Sequence, residues 1–195
     1  MIQRQDRGFS LLELLVVITI IAILVALAVP NYRTWVANTK VRTAAESIQN
    51  GLRTARNEAA QRGVNVRFEL TTSTDSTWRI CSMPAGVTDC SDATKVTILD
   101  QHAVGESAGV VVTGSKAIAA LTNFSAVTGG LPGGITFTPL ARPLAADYNK
   151  NALLRIDTQS TAPNTRRLAT TITAGGSVQM CDAGLLKATA ANGCL

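Results

Sequence analysis

Leu14 to Val29 is sixteen residues without a charge, and Thr19 is the only polar side chain among them. No other stretch of the 195-residue chain stays apolar for so long. Counted from Phe9, the run to Val29 is twenty-one residues with one acidic interruption, Glu13. A helix that crosses a bilayer needs about 20 mostly apolar residues. A polar leader, Met1 to Arg7, comes first and carries Arg4 and Arg7. Positive charge of this kind stays on the cytoplasmic side. The chain therefore reads as a single-pass membrane protein.

A secretory signal peptide has the same opening, a positive start and an apolar core. Ala26-Leu27-Ala28 resembles its small-residue cleavage site. Composition fits both readings, and Glu13 separates them. A carboxylate in an apolar segment costs about 2.5–3.5 kcal/mol on insertion scales and marks a functional position. A signal peptide has no use for it.

The residues around Glu13 carry a resemblance. Arg7-Gly8-Phe9-Ser10-Leu11-Leu12-Glu13, followed by the apolar run, resembles the processing site of type IV pilins and type II secretion pseudopilins. The resemblance implies a membrane peptidase that cuts after Gly8 and N-methylation of the new terminus, Phe9. It places Glu13 at the fifth position of the mature chain, where it pairs with the N-terminal amine of a neighbouring subunit. That pairing neutralises a charge that is costly in lipid and sets the axial register of the assembly. The resemblance also implies a type IV pilin fold, in which a long N-terminal helix packs on a β-sheet head.

Removing Met1 to Gly8 leaves 195 − 8 = 187 residues. Without the apolar helix about 130 remain, one ordinary domain. Between Asn31 and Arg62 there are six basic residues and two acidic ones, so 6 − 2 = +4. From Gly63 onward there are ten and nine, so +1. The positive charge lies on the helix, and a solvated or filament-contacting face explains it. The sharper alternative is an electrostatic footprint for nucleic acid.

The cysteines are Cys81, Cys90, Cys181 and Cys194, and none forms a Cys-x-x-Cys. Four cysteines in a domain held outside the cytoplasm read as two disulfides. Three pairings are possible. The local one, Cys81–Cys90 with Cys181–Cys194, is expected, since it closes two short loops and fastens the C-terminal tail.

Pro30 follows the apolar run and would kink a helix that continues through it. From Val41 the apolar positions Ala44, Ala45, Ile48, Leu52, Ala55 and Ala59 step by three and four, the pattern of an amphipathic helix. Gly63 looks like the stop. Phe9 to Arg62 is thus expected as one helix of about 80 Å. The chain divides into a cleaved leader (1–8), a membrane or filament-core half (9–30), an amphipathic half (31–62) and a head (63–195).

After Gly63 the period changes to two. Val64 to Leu70 alternates and is expected as a strand. Further strands are expected at Trp78–Cys81, Lys95–Leu99, Val110–Thr113, Ile135–Thr138, Leu153–Asp157, Arg167–Thr173 and Ser177–Cys181, with turns at Thr71–Thr77 and Gly129–Gly134. Ala103 to Ala126 is otherwise ambiguous. A helix followed by antiparallel strands is α+β, a sheet packed on the C-terminal half of the helix.

Within the superfamily, Leu52-Arg53-Thr54-Ala55-Arg56-Asn57-Glu58-Ala59 with Arg62-Gly63-Val64 is similar to the GspH/FimT group of minor pilins and pseudopilins. So are Gly134-Ile135-Thr136-Phe137 and the strand before Cys181. The resemblance is weakest between Cys90 and Gly130. It implies a subunit of the inner membrane with its head in the periplasm, which later enters a pilus or pseudopilus. Its partners would be other pilins or pseudopilins, the prepilin peptidase and the inner-membrane assembly platform. A type IV pilus tip is the first reading, and the short pseudopilus of a type II secretion system the second.

Catalytic patterns are weak. Gly105-Glu106-Ser107-Ala108-Gly109 fits Gly-x-Ser-x-Gly, but β-branched residues follow and the only histidine, His102, precedes it. Gly109 to Gly114 with Ser115-Lys116 is not a phosphate loop, because the Lys must follow the Gly directly. His102 is expected in an exposed loop. No enzyme activity, cofactor or metal is expected. Some FimT-like proteins bind DNA through a Gly-Arg-x-Arg motif, and the matching residues here are Gly176-Ser177-Val178-Gln179, with both arginines missing. Arg166-Arg167 could touch phosphates, but two charges give only weak, salt-sensitive binding. DNA is therefore the third reading.

Overall fold

In an α-helix, residues three and four apart share a face. Val41, Ala44, Ala45, Ile48, Leu52, Ala55 and Ala59 all lie on such a stripe, and all are fully buried in the structure, a computed structural model. It describes residues 10–73, 75–92, 94–103, 108–115, 133–145, 154–185 and 188–194. The chain forms two compact units, Met1–Val36 and Ala37–Leu195. Helix α1, Leu11–Arg62, contributes to both and runs through Pro30. Gly63 ends it at a φ of 67°, a left-handed conformation that glycine adopts without a Cβ penalty.

Eight strands follow among the described residues: β1 Asn65–Leu70, β2 Trp78–Met83, β3 Thr97–His102, β4 Val110–Ser115, β5 Gly134–Phe137, β6 Arg155–Ser160, β7 Leu168–Ile172 and β8 Val178–Asp182. They form two four-stranded sheets, ordered β3-β2-β1-β5 and β4-β6-β7-β8. Every neighbouring pair is antiparallel. One core joins the helix stripe to Val66, Phe68, Ile80, Ile135 and Phe137 of the first sheet and Val110, Val112, Ile156 and Ile172 of the second. Each such large side chain contributes about 1.5–3 kcal/mol when taken out of water.

The expected α+β class is the observed one, with two sheets where one was expected. Alternation marks a strand but does not name its partner, so the split is invisible in the pattern. Strand boundaries shift as well, most at β3 and β6. Lys95 and Val96 are taken up by a turn in which both backbone amides donate to the Asp92 carbonyl at 3.0 Å, so β3 begins only at Thr97. β6 begins at Arg155 and runs on to Ser160. His102 is not in an exposed loop. It ends β3, half-buried, with its ring stacked on Trp78 at 5.8 Å and 12°. The residues of the Gly129–Gly134 turn up to Pro132 lie outside the described residues, as does the stretch from Lys116 to Ala126.

Gly51 is the close-approach point of the helix. A Cβ there would lie 2.9 Å from ring atoms of both Phe68 and Trp78. The Trp78 indole N–H donates to Ser47 Oγ at 3.1 Å, so the ring is held from both ends.

Candidate functional site

The first unit supplies the feature with the clearest consequence. The backbone N–H of Glu13 donates to Ser10 Oγ at 3.2 Å, and that of Leu14 to the Ser10 carbonyl at 3.2 Å. Ser10 is therefore the N-cap of α1, and Ser10-Leu11-Leu12-Glu13 has the spacing of a capping box. This local role was legible in the sequence and was missed. Glu13 sits in the first turn, where a carboxylate also meets the positive end of the helix dipole. Gly8 and Phe9 lie outside the described residues.

From Leu14 to Val29 the helix is apolar on all sides, and none of this stretch is buried within the protein. The large side chains from Leu11 to Val29 are all exposed. Thr19 donates its hydroxyl to the Val16 carbonyl at 2.8 Å, so the one polar side chain of the run is satisfied inside the helix. Thr34 donates in the same way to the carbonyl of Pro30 at 3.3 Å. This unit leaves no unmet polar side chain along its apolar run. It is built to be surrounded by lipid or by other apolar helices.

The second unit carries the four cysteines, paired as Cys81–Cys90 and Cys181–Cys194. The second bridge holds the tail against β8, and Asp182 organises the contact. The Asp182 N–H donates to the Asn192 carbonyl at 2.7 Å, and its carbonyl accepts from Cys194 N–H at 3.2 Å. Its carboxylate accepts from Gly184 N–H at 2.9 Å and from Arg166 Nε and Nη2 at 3.0 and 2.8 Å.

Arg166 and Arg167 are therefore adjacent but not equivalent. Arg166 is locked on Asp182, and its backbone N–H donates to Asn38 Oδ1 at 2.8 Å. Arg167 points to Asp157, with Nε 3.9 Å from Oδ1. Both line an open hollow of about 520 Å³ with Gln159, Thr165, Gly184 and Leu185. A carboxylate stands beside each cation, which weakens the pair as a phosphate site. Gly176, at the matching position of the DNA motif, has a packing reason of its own. Its φ is 78°, and a Cβ there would lie 2.3 Å from the Ala141 carbonyl oxygen. The same oxygen accepts from Arg56 Nε at 3.1 Å, which ties this loop to the helix.

The basic residues of the amphipathic half are largely engaged. Arg42 pairs with Glu46 at 2.8 Å and Arg62 with Glu58. Lys40 donates to the Ala108 carbonyl at 3.2 Å.

Arg155–Asp157 and Glu69–Arg79 are further ion pairs with buried members, and charge pattern alone could not have found them. Arg155 is fully buried, and its Nη2 lies 2.8 and 2.7 Å from the two Asp157 oxygens. Burial pushes the Asp157 carboxyl above its ordinary range, against the opposing pull of Arg155 and then Arg167. In the other sheet, Glu69 accepts from Arg79 Nε at 3.2 Å and from Cys90 N–H at 3.2 Å, so it braces the first disulfide loop.

No group of three or more His, Cys, Asp or Glu side chains is placed to hold a metal among the described residues. Of the Gly105–Gly109 pattern, Gly105, Glu106 and Ser107 lie outside them.

Comparison with known proteins agrees with this geometry. Residues 44–176 match the family described as Type II transport protein GspH. The chain belongs to that family. Residues 3–29 match the prokaryotic N-terminal methylation motif. Two curated relatives from Pseudomonas aeruginosa, each described as a fimbrial protein, are 28% identical over 120 residues, 57% of this chain and 77% of each relative. Among solved structures, the type IV minor pilin FimU of Pseudomonas aeruginosa, in its P21 crystal form, aligns with a TM-score of 0.52 and 14% identity, over 75% of this chain and 92% of that one. In its P65 form the TM-score is 0.48 with the same identity, over 74% and 94%. The GspH-family chain thus has the pilin fold, a long N-terminal apolar helix with antiparallel sheets.

Proposed function

We propose that this GspH-family chain is a minor pilin of a type IV pilus, seated at the tip, where it helps to prime assembly. The observation that carries the reading is the exposed apolar half of α1, none of whose most apolar window is buried by its own chain. A surface of that size needs lipid before assembly and neighbouring pilin helices afterwards. The fimbrial relatives support the pilus over the secretion apparatus.

In this reading a prepilin peptidase cuts after Gly8 and Phe9 becomes the methylated N-terminus. Glu13 then meets the amine of a neighbouring subunit. The helix holds the chain in the inner membrane with its head in the periplasm until the assembly platform extracts it. The disulfides keep the head folded outside the cell. DNA capture forms no part of the proposal, since Arg166 and Arg167 each face a carboxylate.

The second reading, a minor pseudopilin of a type II secretion system, is favoured by the description of the family itself. Deleting the gene in its own host separates the two. The pilus reading expects fewer surface filaments with normal protein secretion, and the chain in trace amounts in sheared filaments. Intact filaments with lost secretion would reverse the assignment.

A further inference from the structure

Immediately after the apolar run come Asn31, Tyr32, Arg33, Thr34 and Trp35. Tyr32 and Trp35 are 64% and 63% exposed, and their rings lie 6.0 Å apart on one side of the helix. Arg33 is exposed between them in sequence.

Helix geometry gives them a depth. At 1.5 Å per residue, Leu11 to Tyr32 spans about 32 Å and Leu11 to Trp35 about 36 Å. A bilayer has a hydrocarbon core of about 30 Å and headgroup layers that bring the total to about 40–45 Å. With Leu11 at one edge of the hydrocarbon, Tyr32 reaches the other edge and Trp35 lies about 6 Å outside it, within the headgroups. Rings with an apolar body and one polar group prefer that layer, and an arginine beside them reaches lipid phosphates.

We propose that Tyr32, Arg33 and Trp35 form a lipid-headgroup contact that fixes how deeply the chain sits in the bilayer before assembly. This rests on the reading of α1 as a membrane anchor and adds a specific contact to it. It also sets a register. Glu13, about 3 Å along the helix from Leu11, is held just inside the opposite edge of the hydrocarbon, within reach of an amine at that surface.

Trp35 and Trp78 are the only two tryptophans, and Trp78 is buried at 7% exposure. The test uses the full chain and its Trp35→Phe variant, reconstituted in phosphatidylcholine vesicles brominated at acyl carbons 6,7 or 11,12. The difference between the two proteins isolates Trp35 emission. The expected result is at least twofold stronger quenching by the shallow bromines than by the deep ones. Equal or deeper quenching, or no quenching in vesicles that carry the protein on flotation, would overturn the headgroup contact while leaving the anchor intact. Protein that does not float with the vesicles would overturn the anchor and the contact together.

Discussion

Removing the Asp157 carboxylate should destabilise the head far more than removing the whole ion pair. Arg155 is fully buried and Asp157 nearly so, with nitrogen–oxygen distances of 2.7 and 2.8 Å. Asp157→Ala leaves the Arg155 charge buried without its carboxylate, and such a loss costs about 3–5 kcal/mol. Replacing both partners with apolar residues, Arg155→Met with Asp157→Leu, removes the buried charge along with its carboxylate and should be neutral or stabilising by about 1–4 kcal/mol. Urea unfolding of the detergent-solubilised chain, followed through the buried Trp78, would measure both. With a slope of about 2 kcal/mol per molar, the single variant should lower the midpoint by about 2 M, and the double variant should not lower it. A single variant within about 1 kcal/mol of the parent would refute the reasoning, because the pair would then be solvated. The pH dependence has a definite sign. The folded-state pKa of Asp157 is raised above the ordinary 3.8. The folded head therefore takes up this proton before the unfolded chain does. This group's contribution becomes more favourable as pH falls from the raised value to 3.8, and it is lost as pH rises back through that value. Exposed Asp89 and Asp92 have lowered values, through hydrogen bonds from Ser91 and Thr94 respectively, and act in the opposite direction. Asp157→Ala should accordingly lose stability more steeply in acid than the parent does.

Gly176→Ala meets both a positive φ and a carbonyl oxygen at 2.3 Å. It should cost more than about 2 kcal/mol, while Gly175→Ala, with only Thr173 Oγ at 3.9 Å, should change the same urea midpoint little. Cys194→Ser opens a bridge that spans 13 positions. Loop-closure entropy sets its cost at about 3 kcal/mol, and proteolysis should then release the tail around Asn192 first. Glu13→Leu should leave membrane insertion intact, as judged by carbonate extraction, but should reduce recovery in sheared filaments. Unchanged recovery would remove Glu13 from assembly.

How much was legible in the sequence depended on whether the signal was one-dimensional. The apolar run and the helix stripe from Val41 to Ala59 could be read directly, because burial repeats with the helix period. Most strands were visible through alternation at Val64 to Leu70 and through β-branched runs such as Val110 to Thr113. The division into two sheets was not visible, because it depends on which strand returns beside which. β4 pairs with β6, about forty residues away, and not with its neighbour in sequence β3. The charges were the least legible part. Arg155 and Asp157 sit two apart on one strand and look like an exposed polar face, yet both are buried. Arg166 and Arg167 look like a basic patch, yet each faces a carboxylate from a strand distant in sequence, Asp182 of β8 and Asp157 of β6. His102 looked like a loop residue because its stacking partner, Trp78, is twenty-four positions away. Ser10 is the reverse case, a local cap that the Ser-x-x-Glu spacing to Glu13 spells out directly.

The mass of the mature chain recovered from its own membranes tests the central claim most directly. Pilin processing gives a chain that begins at Phe9 and carries one added methyl group, 187 residues long. A chain that begins at Val29, after Ala26-Leu27-Ala28, would show a removed signal peptide and no retained helix. A chain that still begins at Met1 in assembled filaments would contradict cleavage after Gly8.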